Sequence, residues 1–260
     1  MKYLFFLLTA TFTMPLPAQL TTPPGATCDP ATGLCSPSPI PAPATAPPPI
    51  AEQNLEIIYV GDPLCSWCWG ISPALNHLER AATANGIPYR IVLGGLRPGG
   101  GDPWNEEFQN FLRHHWEEVT ARSGQPFGEA LFAREQFNYD TEPPCRAVVT
   151  ARTLDPTVES RFFELIQHRF YVLGEDPNEV TFYQPICAAT GVDFTEFVKL
   201  FGSPEMLART QADFQLNRRW GVTGYPTVVV RKGEQLYAIA RGYAEFEQMW
   251  GAVEEIVGRE

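Results

Sequence analysis

The feature that most constrains this chain is an apolar run that leads, through a short turn, into two closely spaced cysteines. The run from Leu55 to Val60 is typical of a buried strand, and the Gly-Asp-Pro that follows it predicts a turn. A helical pattern begins at Ser66, so Cys65 and Cys68 lie where a strand passes into the start of a helix. The sequence therefore predicts a strand–turn–helix unit with two thiols at its junction.

The position of these two cysteines favours redox chemistry. Unpaired N–H groups and the positive end of a helix dipole stabilise a thiolate relative to a thiol. Cys65, at the helix tip, is the candidate nucleophile. Cys68, one turn deeper, can form a disulfide with it or resolve a mixed disulfide with a substrate. A C-x-x-C pair is also half of a zinc site, but the sequence has no second such pair and no H-x-x-x-H. Metal binding and inert thiols remain the alternatives, and we predict neither a metal site nor a cofactor.

Several motifs resemble the thioredoxin superfamily. Pro73 lies eight residues beyond Cys65, and a Gly-Tyr-Pro-Thr sequence occupies residues 224–227. A long helical stretch between these two parts is similar to that of the DsbA-type thiol-disulfide oxidoreductases. Residues 62–70 and 141–147 resemble the FrnE-like branch of predicted protein-disulfide isomerases. The resemblance implies an α/β thioredoxin fold with an inserted helical domain.

The resemblance also implies roles for two residues outside the cysteine pair. In thioredoxin-like proteins a cis-proline faces the C-x-x-C, and the residue before it offers its backbone to the substrate peptide as an added strand. In this chain these residues are Pro226 and Tyr225. Trp67, between the two cysteines, is a further candidate for substrate binding.

One position departs from the resemblance. Many of these proteins bury a carboxylate six residues before the first active cysteine, where it accepts the proton of the deeper thiol. Here that position is Tyr59, a poor base near neutral pH with a reference pKa of about 10. Asp62, Glu142 or water is then the candidate acceptor for Cys68, although Asp62 also fits the role of a turn or cap residue.

Charge and the first residues indicate partners and compartment. The formal net charge of −11 argues against nucleic acid as a partner. Residues 3–12 form a short apolar run behind Lys2, which is typical of a secretory signal peptide. We predict a signal peptide over residues 1–18, export to the periplasm or another extracytoplasmic space, and no membrane span after cleavage. An uncleaved N-terminal anchor is the alternative.

The next segment, residues 19–53, is rich in proline. Twelve of the 25 prolines lie between Pro15 and Pro49, which predicts an extended, flexible tether. Within it, Cys28 and Cys35 flank two turn dipeptides, so they can approach each other. They form either a structural disulfide, an auxiliary redox pair that exchanges with Cys65, or a labile metal-binding pair.

The remaining chain divides into three parts: residues 54–101 as the first half of a thioredoxin domain, 102–204 as the inserted helical domain, and 205–260 as the second half. The first half includes a predicted strand at 89–93 parallel to the first strand. The second half includes a predicted strand at 235–241 and a closing helix at 246–257. Cys145 and Cys187 lie in the helical part, where they form a structural disulfide, remain separate buried thiols, or act as auxiliary thiols.

These observations predict an exported thiol-disulfide oxidoreductase, whether oxidase, isomerase or reductase, that acts on protein cysteines. Its partners would be cysteine-containing client proteins and a redox partner protein or glutathione. One alternative is an enzyme similar to kappa-type glutathione transferases, which do not need a second active-site cysteine. The other is a metal-binding or holdase module that uses the same cysteines.

Overall fold

A computed structural model of the protein describes residues 54–258 in full, and residues 26–28 and 35–37 by their backbone. The chain divides into two units, Met1–Ala46 and Pro47–Glu260. In the first unit, strands β1 (Ala26–Cys28) and β2 (Cys35–Pro37) pair antiparallel, and Cys28 lies directly opposite Cys35. The predicted signal peptide, and the predicted tether apart from these two strands, lie outside the described residues.

The second unit is built on a four-stranded mixed sheet with the order β4-β3-β5-β6. Its strands are β3 (Leu55–Gly61), β4 (Tyr89–Leu93), β5 (Thr227–Lys232) and β6 (Gln235–Arg241). β3 pairs parallel with β4 and antiparallel with β5, so Val60 near the end of β3 lies opposite Thr227 at the start of β5. The chain that leaves β3 and the chain that enters β5 therefore meet at one edge of the sheet.

Helices cover both faces of this sheet because side chains alternate along each strand. Ile57 and Tyr59 face the main core, to which α2 (Ser72–Ala84) and α9 (Phe246–Val257) contribute. Ile58 and Val60 face the opposite side. There they pack in a cluster with Leu216 and Trp220, at the end of α8 (Pro204–Arg219) and just beyond it. The predicted strands at 89–93 and 235–241 and the helix at 246–257 are confirmed.

Five α-helices lie between β4 and α8: α3 (Glu106–Ser123), α4 (Glu142–Leu154), α5 (Glu159–Tyr171), α6 (Gln184–Thr190) and α7 (Phe194–Phe201). An aromatic cluster that includes Trp116, Phe170 and Tyr171 also takes in Leu64 and Trp69, so the cysteine segment packs against this helical part. None of the helices within residues 54–258 combines the length and the apolar character needed to cross a bilayer.

Candidate active site

The two cysteines that follow β3 differ in depth. Cys65 is the N-cap of the short helix α1 (Ser66–Gly70), and its carbonyl accepts hydrogen bonds from the amides of Cys68 at 2.9 Å and Trp69 at 3.1 Å. Cys65 is 6% exposed and Cys68 is fully buried, and both are free thiols. Cys65 is therefore the sulfur that a substrate can approach first.

The loop before β5 brings a backbone carbonyl to Cys65. The Tyr225–Pro226 peptide bond is cis, and the Cys65 Sγ lies 3.5 Å from the carbonyl oxygen of Tyr225. This contact joins residues that are 160 positions apart in the chain. The structure thus brings together three of the residues that the sequence proposed for the site.

Tyr225 is fixed by its own side chain. Its hydroxyl donates a hydrogen bond to the carbonyl of Gly94 at 2.7 Å. A Cβ atom added at Gly94 would lie 2.6 Å from the Tyr225 ring, so the close approach requires glycine there. Gly94, which directly follows β4, therefore holds in place the loop before β5, here called the proline loop. Trp67 is half-buried and makes an edge-to-face contact with Tyr243, with ring centroids 6.4 Å apart.

The thiol of Cys68 faces the protein interior. Burial, followed by the adjacent Cys65 sulfur, raises the pKa of Cys68 well above its ordinary value. The Tyr59 hydroxyl lies beside this thiol but forms no hydrogen bond of standard geometry with any described residue. Burial also raises the pKa of Tyr59, so its hydroxyl stays protonated. Tyr59 is therefore not a base that could accept a proton from Cys68.

Gly61 leaves space for the Tyr59 ring. A Cβ atom at Gly61 would lie 2.1 Å from the Tyr59 hydroxyl oxygen. We expect Gly61→Ala to displace the ring and to lower the free energy of unfolding by about 1–3 kcal/mol. Urea unfolding measures this change. Gly251→Ala in α9 is the matched control, because an added Cβ there meets nothing within 4 Å. Helix propensity predicts that this control is more stable by about 1 kcal/mol. Unchanged stability of Gly61→Ala would contradict the observed packing.

Both oxygens of the Asp62 carboxylate accept hydrogen bonds. One oxygen accepts from the amide of Leu64 at 2.9 Å, and the other accepts from the amide of Leu96 at 2.7 Å and from the thiol of Cys145 at 3.5 Å. Burial raises the pKa of Asp62 above its ordinary value. Two roles were predicted for Asp62, proton acceptor and turn residue. Its hydrogen bonds are those of a turn residue. Glu142, the other predicted carboxylate, forms an ion pair with Arg146 at 3.1 Å.

The raised pKa of Asp62 has a consequence for stability. Between the ordinary pKa of an aspartate, about 3.9, and the raised value, the folded state binds more protons than the unfolded state. This contribution to stability is therefore lost as the pH rises through that window. We expect Asp62→Asn to make the slope of unfolding free energy against pH less negative, as measured by urea unfolding above about pH 4.

Asp155→Asn is the control for that slope. Hydrogen bonds from Thr157 lower the pKa of the exposed Asp155, so its contribution to the slope lies below about pH 4, and Asp155→Asn should leave the slope above that pH nearly unchanged. Equal slopes for wild-type protein and Asp62→Asn would contradict the prediction.

Cys145 and Cys187 are separate buried thiols, so the predicted alternative of a disulfide between them is not found. Cys145 lies in the first turns of α4 and donates to Asp62, whereas Cys187 lies in α6. Burial raises the pKa of Cys187 to about 12. Neither thiol contacts Cys65 in the hydrogen bonds of the described residues.

Three polar residues near Cys68 were missed by the sequence reasoning. Ser72, Glu79 and Gln167 line a small cavity behind the Cys68 thiol. For the first two, the spacing from Cys68 offered a signal, because positions 68, 72 and 79 share one face of a helix. Gln167 comes from α5, and nothing in the sequence places α5 beside α2. Among the described residues, no group of three or more His, Cys, Asp or Glu side chains is arranged to hold a metal ion.

A mixed sheet of this order, with a C-x-x-C at the end of one central strand and a cis-proline loop before the other, defines a thioredoxin fold. Helices α3–α7 are inserted between β4 and α8, so the predicted fold class is confirmed. The chain belongs to the family of DSBA-like thioredoxin domains, whose model matches residues 56–254.

Similar proteins include two solved structures and one curated relative. The "putative protein disulfide isomerase" from Nitrosomonas europaea is 32% identical, with a TM-score of 0.73 over 80% of this chain and 99% of that chain. The cytosolic disulfide reductase DsbM from Pseudomonas aeruginosa, solved with GSH, is 26% identical, with a TM-score of 0.61 over 78% of this chain and 98% of that one. The ClpXP adapter protein SpxH from Shouchella clausii is 24% identical over 206 residues, 78% of this chain. This chain spans 65% of that relative's length.

Proposed function

We propose that this protein is an exported thiol-disulfide oxidoreductase that acts on protein cysteines through Cys65 and Cys68. The observation that carries the proposal is the 3.5 Å contact between the Cys65 sulfur and the Tyr225 carbonyl, with Cys68 buried one helical turn behind. A nucleophilic sulfur beside a fixed backbone edge suits attack on a disulfide within an extended peptide. Membership of the DSBA-like family supports the same class of reaction.

The reaction proceeds in two exchanges. The Cys65 thiolate attacks one sulfur of a substrate disulfide, so that a mixed disulfide forms and the other substrate sulfur leaves as a thiolate. Cys68 then loses its proton and attacks Cys65, which releases the second substrate thiolate and leaves a Cys65–Cys68 disulfide. The substrate gains two electrons and the protein loses two. The reverse sequence oxidises a client dithiol.

A groove beside the proline loop is the proposed path of the client peptide. It has a volume of about 320 Å³ and is lined by Trp220, Val222, Tyr225 and Arg241, among others. Tyr225 belongs both to this groove and to the contact with Cys65. An extended segment lying in the groove would therefore present its cysteine to Cys65, and Trp67 is the proposed contact on the helix side.

Glutathione is the proposed small-molecule redox partner. The related disulfide reductase DsbM, which is 26% identical to this chain, was solved with GSH. Regeneration then needs one glutathione to open the Cys65–Cys68 disulfide and a second to release Cys65, with glutathione disulfide as the product.

The N-terminal unit adds a second proposed redox pair. Residues 1–18 would direct export, and oxidising compartments maintain disulfides. Facing residues of an antiparallel pair have Cα atoms about 4.5–5.5 Å apart. That separation lies within the range of about 4.4–6.8 Å that a disulfide requires, so the register of Cys28 and Cys35 permits one. Thiol labelling of the exported protein, with and without Cys35→Ser, tests for this disulfide.

Insulin reduction in the presence of glutathione tests the proposed function. We expect wild-type protein to reduce insulin and Cys68→Ser to turn over much more slowly, because only glutathione then resolves the mixed disulfide on Cys65. A kappa-type glutathione transferase would retain its activity in Cys68→Ser, and a holdase would suppress client aggregation equally well without Cys65. Either of these results, together with no insulin reduction by the wild type, would overturn the proposal.

A further inference from the structure

A small cavity lined by both polar and apolar side chains lies behind the Cys68 thiol. It has a volume of about 20 Å³ and is lined by Tyr59, Cys68, Ser72, Glu79 and Gln167, among others. A polar cavity of more than about 10–15 Å³ can hold one water molecule. Among the described residues that line this cavity, Cys68 supplies the only sulfur.

Unpaired polar atoms in the cavity wall favour a water there. Gln167 is fully buried, and neither the nitrogen nor the oxygen of its amide has a hydrogen-bond partner among the described residues. The Tyr59 hydroxyl, which lies beside the Cys68 thiol, forms no hydrogen bond of standard geometry within that part of the chain. A buried amide without partners is strongly disfavoured, and a water bridging these groups satisfies both.

The cavity continues into a wider groove between α2 and α5. That groove has a volume of about 590 Å³ and shares Asn76, Glu79, Ser160 and Glu164 with the cavity. Glu79 therefore lies where the buried space behind Cys68 meets the solvent side. The Ser160 hydroxyl donates a hydrogen bond to Glu79 at 2.7 Å, which fixes the carboxylate at this junction.

We propose that water in this cavity and in the adjoining groove carries the proton of Cys68 to the carboxylate of Glu79, and that Glu79 is the proton acceptor in the second exchange. The proposal rests on the function proposed above and adds the route that the second exchange needs. The Asp62 carboxylate already accepts hydrogen bonds from the amides of Leu64 and Leu96. Glu164 forms an ion pair with Arg161 at 2.6 Å. Two carboxylates line the cavity, those of Glu79 and Glu164. The described polar partner of the Glu79 carboxylate is a neutral hydroxyl, that of Ser160.

The proton moves in step with the exchange of sulfurs. As Cys68 attacks the Cys65 sulfur of the mixed disulfide, its S–H proton passes to the cavity water, that water passes a proton on to water in the groove, and the groove water passes a proton to Glu79. The bond between Cys65 and the substrate sulfur breaks, and the substrate leaves as a thiolate. Glu79 then releases its proton to solvent through the groove. In the oxidising direction, the departing Cys68 thiolate takes the proton back from Glu79.

The groups that face Glu79 come from three elements. Ser160, Arg161 and Glu164 lie on α5, Tyr89 lies on β4, and Arg80 follows on α2. Burial raises the pKa of Glu79 above its ordinary value, which suits a carboxylate that must accept a proton and give it up again. The second exchange should therefore accelerate as the pH rises through the pKa of Glu79.

Stopped-flow reaction with 5,5′-dithiobis(2-nitrobenzoate) separates the two exchanges. In the full mature chain carrying Cys28→Ser and Cys35→Ser, attack by Cys65 releases the first thionitrobenzoate, and attack by Cys68 on the mixed disulfide releases the second. We expect Glu79→Gln to leave the first phase unchanged and to slow the second about tenfold near neutral pH. The difference should disappear in alkaline buffer, where hydroxide takes the proton.

Two further variants complete the test. Gln167→Leu removes the unpaired amide and fills the cavity, so it should slow the second phase in the same way without loss of stability. Glu164→Gln, which alters the ion-paired carboxylate of the same groove, should change neither phase. An unchanged or pH-independent second phase in both Glu79→Gln and Gln167→Leu overturns the relay alone, as does equal slowing by Glu164→Gln. Absence of the first phase in the parent chain overturns the proposed function and the relay with it.

Discussion

Replacing Cys65 by serine is expected to abolish disulfide exchange with protein substrates, with a loss of about a thousandfold or more in the rate of insulin reduction. Cys65 is the outer sulfur, and it lies against the Tyr225 carbonyl where a peptide would bind. A serine hydroxyl cannot replace the thiolate as a nucleophile under these conditions. Cys68→Ser should instead accumulate the mixed disulfide between Cys65 and the client, because the buried second thiol that resolves it is gone.

Non-reducing electrophoresis and mass spectrometry measure both outcomes. Cys187→Ser is the matched control, since Cys187 is buried in α6 and should leave the exchange rate unchanged. If client adducts formed on Cys68 when Cys65 was absent, at the rate of the wild type, the order of attack proposed here would be wrong.

Arg152→Ala is expected to destabilise the fold by about 3–5 kcal/mol. The Arg152 guanidinium donates to Glu159 at 3.1 Å, to Asp213 at 2.9 Å and to the carbonyl of Ile91 at 3.1 Å. Asp213 also accepts from the amide of Leu93 at 3.1 Å. This network joins the end of β4 to α4, α5 and α8. Removing the cation leaves two largely buried carboxylates facing each other without a partner.

Urea unfolding at neutral pH measures the loss. Arg161→Ala is the control, because the Arg161–Glu164 pair is exposed on the arginine side and should contribute less than about 1 kcal/mol. Gly94, the residue after β4, holds Tyr225, so Arg152→Ala should also weaken insulin reduction in the folded fraction. Equal destabilisation by the two arginine variants would contradict this account of the network.

The framework of the fold could be predicted because it depends on local patterns. The apolar run of β3, the turn residues after it and the proline before β5 each constrain the backbone within a few residues. The predicted helical stretch between β4 and α8 likewise follows from periodic apolar positions. Such elements can be predicted without knowing which distant parts of the chain contact each other.

The surroundings of Cys68 could not be predicted, because they are formed by contacts between distant segments. The thiol of Cys145 reaches Asp62 across 83 positions of the chain, and Ser160 reaches Glu79 across 81. Gln167 is fully buried, and nothing in the sequence places it beside Cys68. The sequence left Asp62, Glu142 and water as candidates for the proton acceptor, and the hydrogen bonds of Asp62 and the ion pair of Glu142 are visible only in the structure.

Equilibration of the mature protein with glutathione buffers of graded redox state tests the central claim most directly. Peptide mass spectrometry after acid quenching would identify the linked sulfurs. We predict a reversible Cys65–Cys68 disulfide, with a glutathione adduct on Cys65 as the intermediate and with Cys145 and Cys187 remaining as thiols. Cys65 and Cys68 that stay reduced across the whole series, or that pair with other cysteines, would contradict the account.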